Sequence, residues 1–135
     1  MNAQRNTAPT IAELENTARN IRELIIQSLL KAGTGHTAGA MGMADVFTAL
    51  YFAVMDHDPE NPTWEDRDYF ILSNGHICPV LYATLATAGY FPEEKLDTLR
   101  DTNSDLQGHP HKHTELGIEN TSGPLGQGLS QAAGI

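Results

Sequence analysis

The stretch Tyr69-Phe70-Ile71-Leu72-Ser73-Asn74-Gly75-His76 decides how the chain is read. Its first five residues do not alternate between apolar and polar. Such a run suits a short strand buried on both faces, as in a parallel sheet. Asn74-Gly75-His76 then supplies turn chemistry and ends it. The segments on either side carry the helical period instead. The predicted fold class is therefore α/β, mostly helical, with one central parallel-type strand at about 69–73.

Working toward the N-terminus, Asp56–Asp68 is a polar loop with two prolines and Trp64. Before it, a helix is predicted over roughly 43–55, with Met43, Val46, Phe47, Leu50 and Val54 facing inward. The stretch 33–42 is rich in Gly, Ala and Thr and carries His36, so it reads as a loop where backbone closely approaches something. Thr10 and Glu13 have the spacing of a capping box and open a first helix. Ile11, Leu14, Ala18, Ile21, Ile25 and Leu29 give that helix one apolar face, and Gly33 stops it. Residues 1–9 read as a loose arm. Toward the C-terminus, Pro79 suits the first turn of a third helix that ends at Gly89. Pro92-Glu93-Glu94 opens a fourth, with acids in its first turn. Residues 101–123 form a long polar loop holding three histidines, and a last helix runs from Gln127 to Ile135.

The chain has 135 residues, which suits one domain. Seventeen acidic residues against eight basic give a formal charge of −9, which disfavours nucleic acid and anionic membrane as partners. A single cysteine, Cys78, excludes an internal disulfide and fits a reducing compartment. The start is polar and no apolar run has the length of a membrane span, so a cytoplasmic location is expected. The one strand has no partner strand in the chain, and a strand cannot satisfy its backbone alone. The last helix has no stop signal. Residues 1–135 are therefore expected to be the front of a larger domain.

Three Gly-His pairs stand out: Gly35-His36, Gly75-His76 and Gly108-His109. A glycine lets a ligand come close, and an imidazole can exchange a proton near neutral pH. The plainer reading of any one of them is a turn histidine. Gly123-Pro124-Leu125-Gly126-Gln127-Gly128 opens the last helix and could face an anion or a polar ring. It lacks the Lys-Ser/Thr of a nucleotide loop, and its plainer reading is a tight helix entry. His109-Pro110-His111-Lys112-His113 invites a zinc reading, but Gly108 and Pro110 oppose a strand that would align the imidazoles. No metal site is assigned.

Taken together, four segments resemble the N-terminal, diphosphate-binding part of transketolases. Gly35-His36-Thr37-Ala38-Gly39-Ala40-Met41-Gly42-Met43-Ala44-Asp45 is similar to that family's G-H-P-G-x-x-x-G-x-A-D. The stretch from Asn61 to His76 resembles N-P-x-W-x-D-R-D-x-F-x-L-S-x-G-H. Gly108-His109-Pro110 is the third, and Gly117 to Gly128 looks like G-V-E-x-T-T-G-P-L-G-Q-G. Order and spacing match from about Leu14 to the last residue, and Gly89-Tyr90-Phe91-Pro92 leans toward the type split over two genes. Thr37 stands where the family usually has proline, and Asn120 where it usually has threonine.

The resemblance implies a component of an enzyme that moves a two-carbon ketol unit from a ketose phosphate to an aldose phosphate, as in the pentose phosphate pathway. It implies thiamine diphosphate as cofactor, with Mg2+ held by residues beyond 135. His76 would hold a diphosphate oxygen. Gly123, Pro124 and Leu125 would line the cofactor rings, Gly123 through its carbonyl. His36 and His109 would face the substrate and move protons. A companion chain with the rest of the diphosphate-binding and the pyrimidine-binding domain is expected, in an oligomer, and this chain alone is expected to be inactive. A formaldehyde-using relative and a non-catalytic interaction subunit remain the other readings.

Overall fold

In the computed structural model, residues 8–135 are described. The loose arm predicted for residues 1–9 lies largely outside them. Helix α1 spans Ile11–Ala32, and its capping box is formed: the Thr10 hydroxyl accepts from the Glu13 N–H while Glu13 accepts from the Thr10 N–H. Gly33 ends α1 in the left-handed region, at φ 66°, where glycine has no Cβ to clash. Ala18, Ile21, Ile25 and Leu29 are buried as the spacing requires, whereas Ile11 at the frayed start is exposed.

Helix α2 spans Ala38–Ala49 and so begins five residues before its predicted start. The glycine- and alanine-rich stretch is a loop only as far as Thr37; beyond it the small residues form a helical turn packed close to its neighbours. This earlier start changes the buried face. Ala40, Ala44, Phe47 and Tyr51 point inward, while Val46 and Val54, predicted inside, are 46% and 64% exposed. After Ala49 the chain widens into a π-turn over Leu50–Val54, closed by Met55 N–H donating to the Leu50 carbonyl at 2.7 Å. The π-turn keeps Met55 buried.

Helix α3 spans Cys78–Ala88, with Pro79 in its first turn and Gly89 in the left-handed region behind it. Every residue from Cys78 to Ala86 is buried, so α3 is the central element, and α1 and α2 both pack on it. A helix apolar all round is stable only in such a position. Its largest buried side chains, Tyr82, Leu85 and Val80, each contribute roughly 1.5–3 kcal/mol of apolar burial. The segment opened by Pro92 is a 3-10 helix, Glu93–Thr98, rather than an α-helix. The long loop after it contains a 3-10 turn at Thr114–Leu116 and one isolated bridge, His113 to Ile118. Helix α4 spans Gln127–Ala132, shorter than predicted.

The predicted central strand at 69–73 is not formed. Among the described residues there is no strand; the run 69–72 takes no regular secondary structure. The physical reason is the one that made the sequence look incomplete: a ladder needs a neighbour. Leu72 is nonetheless buried, and both its backbone groups are satisfied. Its N–H donates to Asn120 Oδ1 and its carbonyl accepts from Asn120 Nδ2, each at 3.0 Å. One carboxamide stands in for one residue of an adjacent strand.

Candidate active site

Residues 73–78 are the hub onto which the other motif segments fold. Gly75–Ile77 form a 3-10 turn that leads straight into α3, with Asn74 before it. On one side lies the start of α2: a Cβ on Gly39 would stand 2.8 Å from Ile77 Cγ2, so the helix seats here only because residue 39 has no side chain. The loop just before α2 brings His36 to His76, their rings edge to face with centroids 5.2 Å apart.

The 120–128 segment closes the opposite side. The Gly126 N–H donates to the Ser73 carbonyl and the Gly128 N–H to Ser73 Oγ, both at 3.1 Å. A Cβ on Gly75 would lie 2.8 Å from the Ser122 carbonyl oxygen, and one on Gly128 2.7 Å from Ser73 Cβ. Gly126 takes φ 84°, so the turn before α4 also requires glycine. By contrast, a Cβ on Gly123 would meet nothing within 4 Å. Room thus remains beside the very glycine whose carbonyl the resemblance assigns to a cofactor ring.

The third side is the 107–110 loop. Cys78 Sγ donates to the Gly108 carbonyl at 3.2 Å, the Tyr82 hydroxyl donates to the Gln107 carbonyl at 2.8 Å, and the Ser122 N–H donates to the Pro110 carbonyl at 3.0 Å. His109 is held between these fixed neighbours. It makes no ring contact with His36 or His76; its connection to the hub runs through the backbone. His36 and His109 are exposed and His76 is half-buried. Pro124 and Leu125 are exposed, Leu125 at 66%.

Three features hold the site together through partners distant in sequence. Asn120 not only completes Leu72 but donates to Gln131 Oε1 at 2.7 Å, tying α4 to the hub. Arg67 and Glu119 form a forked ion pair at 2.7 and 3.0 Å, with both side chains 6% exposed. Arg67 also donates to the Trp64 carbonyl and lies over the Tyr69 ring at 4.1 Å. The Glu119 carboxylate beside it holds the guanidinium further toward its charged form. Cys78 is buried at the start of α3, donates to the Gly108 carbonyl, and has its thiol pushed up to about 12 by burial. A signal for Arg67–Glu119 exists only in three dimensions, since 52 residues separate them.

Thr37 occupies the N-cap position of α2 but makes no side-chain cap bond; it contributes its carbonyl, which accepts from Met41 N–H at 2.9 Å. Among the described residues no group of His, Cys, Asp and Glu could hold a metal ion, and no helix is long and apolar enough to cross a membrane.

The loops carrying His36, His76 and His109 and the glycine-rich entry of α4 pack around the start of the buried helix α3. The family model for the transketolase thiamine diphosphate binding domain matches residues 14–135. The 6-deoxy-6-sulfo-D-fructose transketolase subunit SqwG of Clostridium sp. (strain MSTE9) is 45% identical over 123 residues, spanning 91% of this chain and 45% of that protein. Transketolase 2 of Escherichia coli (strain K12) is 44% identical over 90% of this chain and 18% of its own length. Among solved structures, transketolase from Leishmania mexicana superposes with a TM-score of 0.86 at 39% identity, covering 93% of this chain and 19% of that one. The chain belongs to the transketolase family, in its thiamine-diphosphate-binding domain. It spans less than half the length of these relatives.

Proposed function

We propose that the chain is one component of a transketolase that transfers a two-carbon ketol unit from a ketose to an aldose through thiamine diphosphate. The single observation that carries this reading is the convergence of all four motif segments on residues 73–78, through Gly39, Ser122, Gly126, Gly128 and the Gly108 carbonyl. A shared ligand gives segments so distant in sequence a reason to meet at one point. The residues present fit the cofactor: His76 is half-buried beside His36, and the space at Gly123 is open. When bound, thiamine diphosphate supplies the stabilised carbanion that such a transfer needs.

In this reading His76 donates to a diphosphate oxygen. Gly123, Pro124 and Leu125 line the rings, and the exposed Leu125 covers them. His36 and His109 face the substrate and hold or move protons at its hydroxyls, a task suited to exposed imidazoles. Mg2+ is held by residues outside this stretch. The remaining domain comes from a companion chain, in keeping with the relative named as a transketolase subunit. That relative's name also makes a sulfonated ketose a donor to test beside sugar phosphates.

Calorimetric titration with thiamine diphosphate and Mg2+, with and without the companion chain, tests the assignment. Tight binding and ketol transfer are expected only from the pair. His109→Ala in the pair should lower transfer roughly 10²-fold with cofactor affinity kept. His76→Ala should weaken cofactor binding first. Equal loss of affinity in both, with turnover intact, contradicts the roles given.

A further inference from the structure

The residue before His109 is Gly108, and a glycine can rotate about both its backbone dihedrals more freely than any other residue. A side chain meant to act at one place would be poorly aimed from such a hinge. The structure removes that freedom from both sides. Two consecutive peptide planes flank Gly108, and each is held at its carbonyl oxygen by a buried side chain of α3. The Gln107 carbonyl accepts from the Tyr82 hydroxyl at 2.8 Å, and the Gly108 carbonyl accepts from Cys78 Sγ at 3.2 Å. Tyr82 is 0% exposed and Cys78 1%, so neither donor has water as an alternative partner. Cys78 Sγ also reaches the Gln107 carbonyl, at 3.5 Å, and because a peptide is planar, holding the oxygens of both planes restricts the two dihedrals of the glycine between them.

The space on Gly108 is also filled. A Cβ there would stand 2.5 Å from Arg100 Nη1 and 2.9 Å from its Cζ, so the guanidinium lies where a side chain would be. Arg100 reaches this place from a left-handed backbone, at φ 69°, with its N–H donating to the Leu106 carbonyl at 2.8 Å. The guanidinium thus packs against the bare Cα of Gly108, and the glycine hinge beside it is held by the two hydrogen bonds. Beyond His109 the chain is fixed again, since Pro110 has a ring-restricted φ and its carbonyl accepts from the Ser122 N–H.

We propose that Tyr82 and Cys78 are positioning residues: they lock the Gly108 hinge and so aim His109. The proposal rests on the proton-transfer role given to His109 above. Both donors sit on the helix that His76 precedes, so the lock also ties the His109 loop to the same rigid body as the cofactor-side histidine.

The test compares the full chain as wild type, Tyr82→Phe, Cys78→Ala and Cys78→Ser by 15N relaxation. In the wild type, Gly108 and His109 should show order parameters near 0.85, the rigid-backbone value, and in Tyr82→Phe and Cys78→Ala they should fall below about 0.6. Cys78→Ser keeps a donor and should restore rigidity, which a loss of packing alone would not explain. Amides of α1 serve as the internal control and should not change. In the complex with the companion chain, Tyr82→Phe and Cys78→Ala should lose roughly 10–100-fold in kcat, the scale of a misplaced catalytic group, with KM for the donor kept and Cys78→Ser recovering. A rigid Gly108–His109 segment in both Tyr82→Phe and Cys78→Ala overturns the lock. A loosened segment with undiminished kcat overturns the positioning role. A wild-type complex without any transfer sinks the functional reading instead, and the relaxation result still decides the lock.

Discussion

Asn120 does at one position what a neighbouring strand does along its length. Removing its carboxamide leaves a buried N–H and a buried carbonyl of Leu72 without these partners and takes from Gln131 one of its two hydrogen bonds to this segment. Each unsatisfied backbone group costs about 1–3 kcal/mol. Asn120→Ala should therefore lose roughly 2–4 kcal/mol in urea unfolding, far more than a loop substitution ordinarily would. Cys78 gives a second test at this scale. Burial raises its thiol from the ordinary 9.0 to about 12. The folded value lies above the unfolded one, so its contribution to stability is complete below pH 9 and is lost as pH rises toward 12. At pH 8.5 the folded chain should react with iodoacetamide at least 10²-fold more slowly than the chain in urea, since the thiolate is the nucleophile. Single residues were also where the sequence said least. The three Gly-His pairs could be named from type and spacing, but the work of Asn120, Tyr82 and Arg67 depends on partners 25 to 52 residues away.

At the scale of elements, period and caps carried most of the information. Thr10, Glu13 and Gly33 bounded α1 correctly because their roles are local. The start of helix α2 is not legible because Ala38–Gly42 looks like a loop by composition, and the close approach to Ile77 that calls for a small residue at Gly39 is a tertiary contact. The run 69–73 was read as a strand from its apolar content. Burial on both faces is not what the structure shows: Leu72 is buried but Tyr69 is 44% exposed, and the hydrogen-bonded ladder, a property of two segments, could not be read from one. Joints between elements are the sensitive points. Gly75→Ala would place a Cβ 2.8 Å from a backbone oxygen of Ser122, which cannot swing aside as a flexible side chain can. The 73–78 and 120–128 segments should separate. We expect a fall in thermal midpoint and, in the assembled enzyme, loss of cofactor binding; an unchanged midpoint and affinity would show that the joint yields without consequence.

For the molecule as a whole, the surface tells against solitude. Leu125 and Leu129, on α4 and its entry, are 66% and 79% exposed, and Leu30, Val46 and Val54 lie open on other helices. Leu125 and Leu129, four residues apart at the start of α4, are the pair we expect another body to cover. The purified chain should associate in sedimentation velocity at tens of micromolar, and Leu125→Lys with Leu129→Lys should raise the monomer fraction. If the doubly charged variant associates as strongly as the wild type, the association lies elsewhere.

The Leu72–Asn120 pairing has a consequence in time as well as in space. Helices α1, α2 and α3 share one buried apolar core, with α1 and α2 both packed on α3. The carboxamide instead joins residues 48 apart, a closure that costs roughly 3 kcal/mol of chain entropy. Two hydrogen bonds carry this joint, whereas the helices share an apolar core, so the hub opens more readily than the three-helix body. Amide exchange at Leu72 should run ahead of that at Val80 or Leu85, and a ligand gripping both sides of the hub should slow it without altering the helices. The chain would then assemble its site as the last act of folding, with the ligand as the clasp.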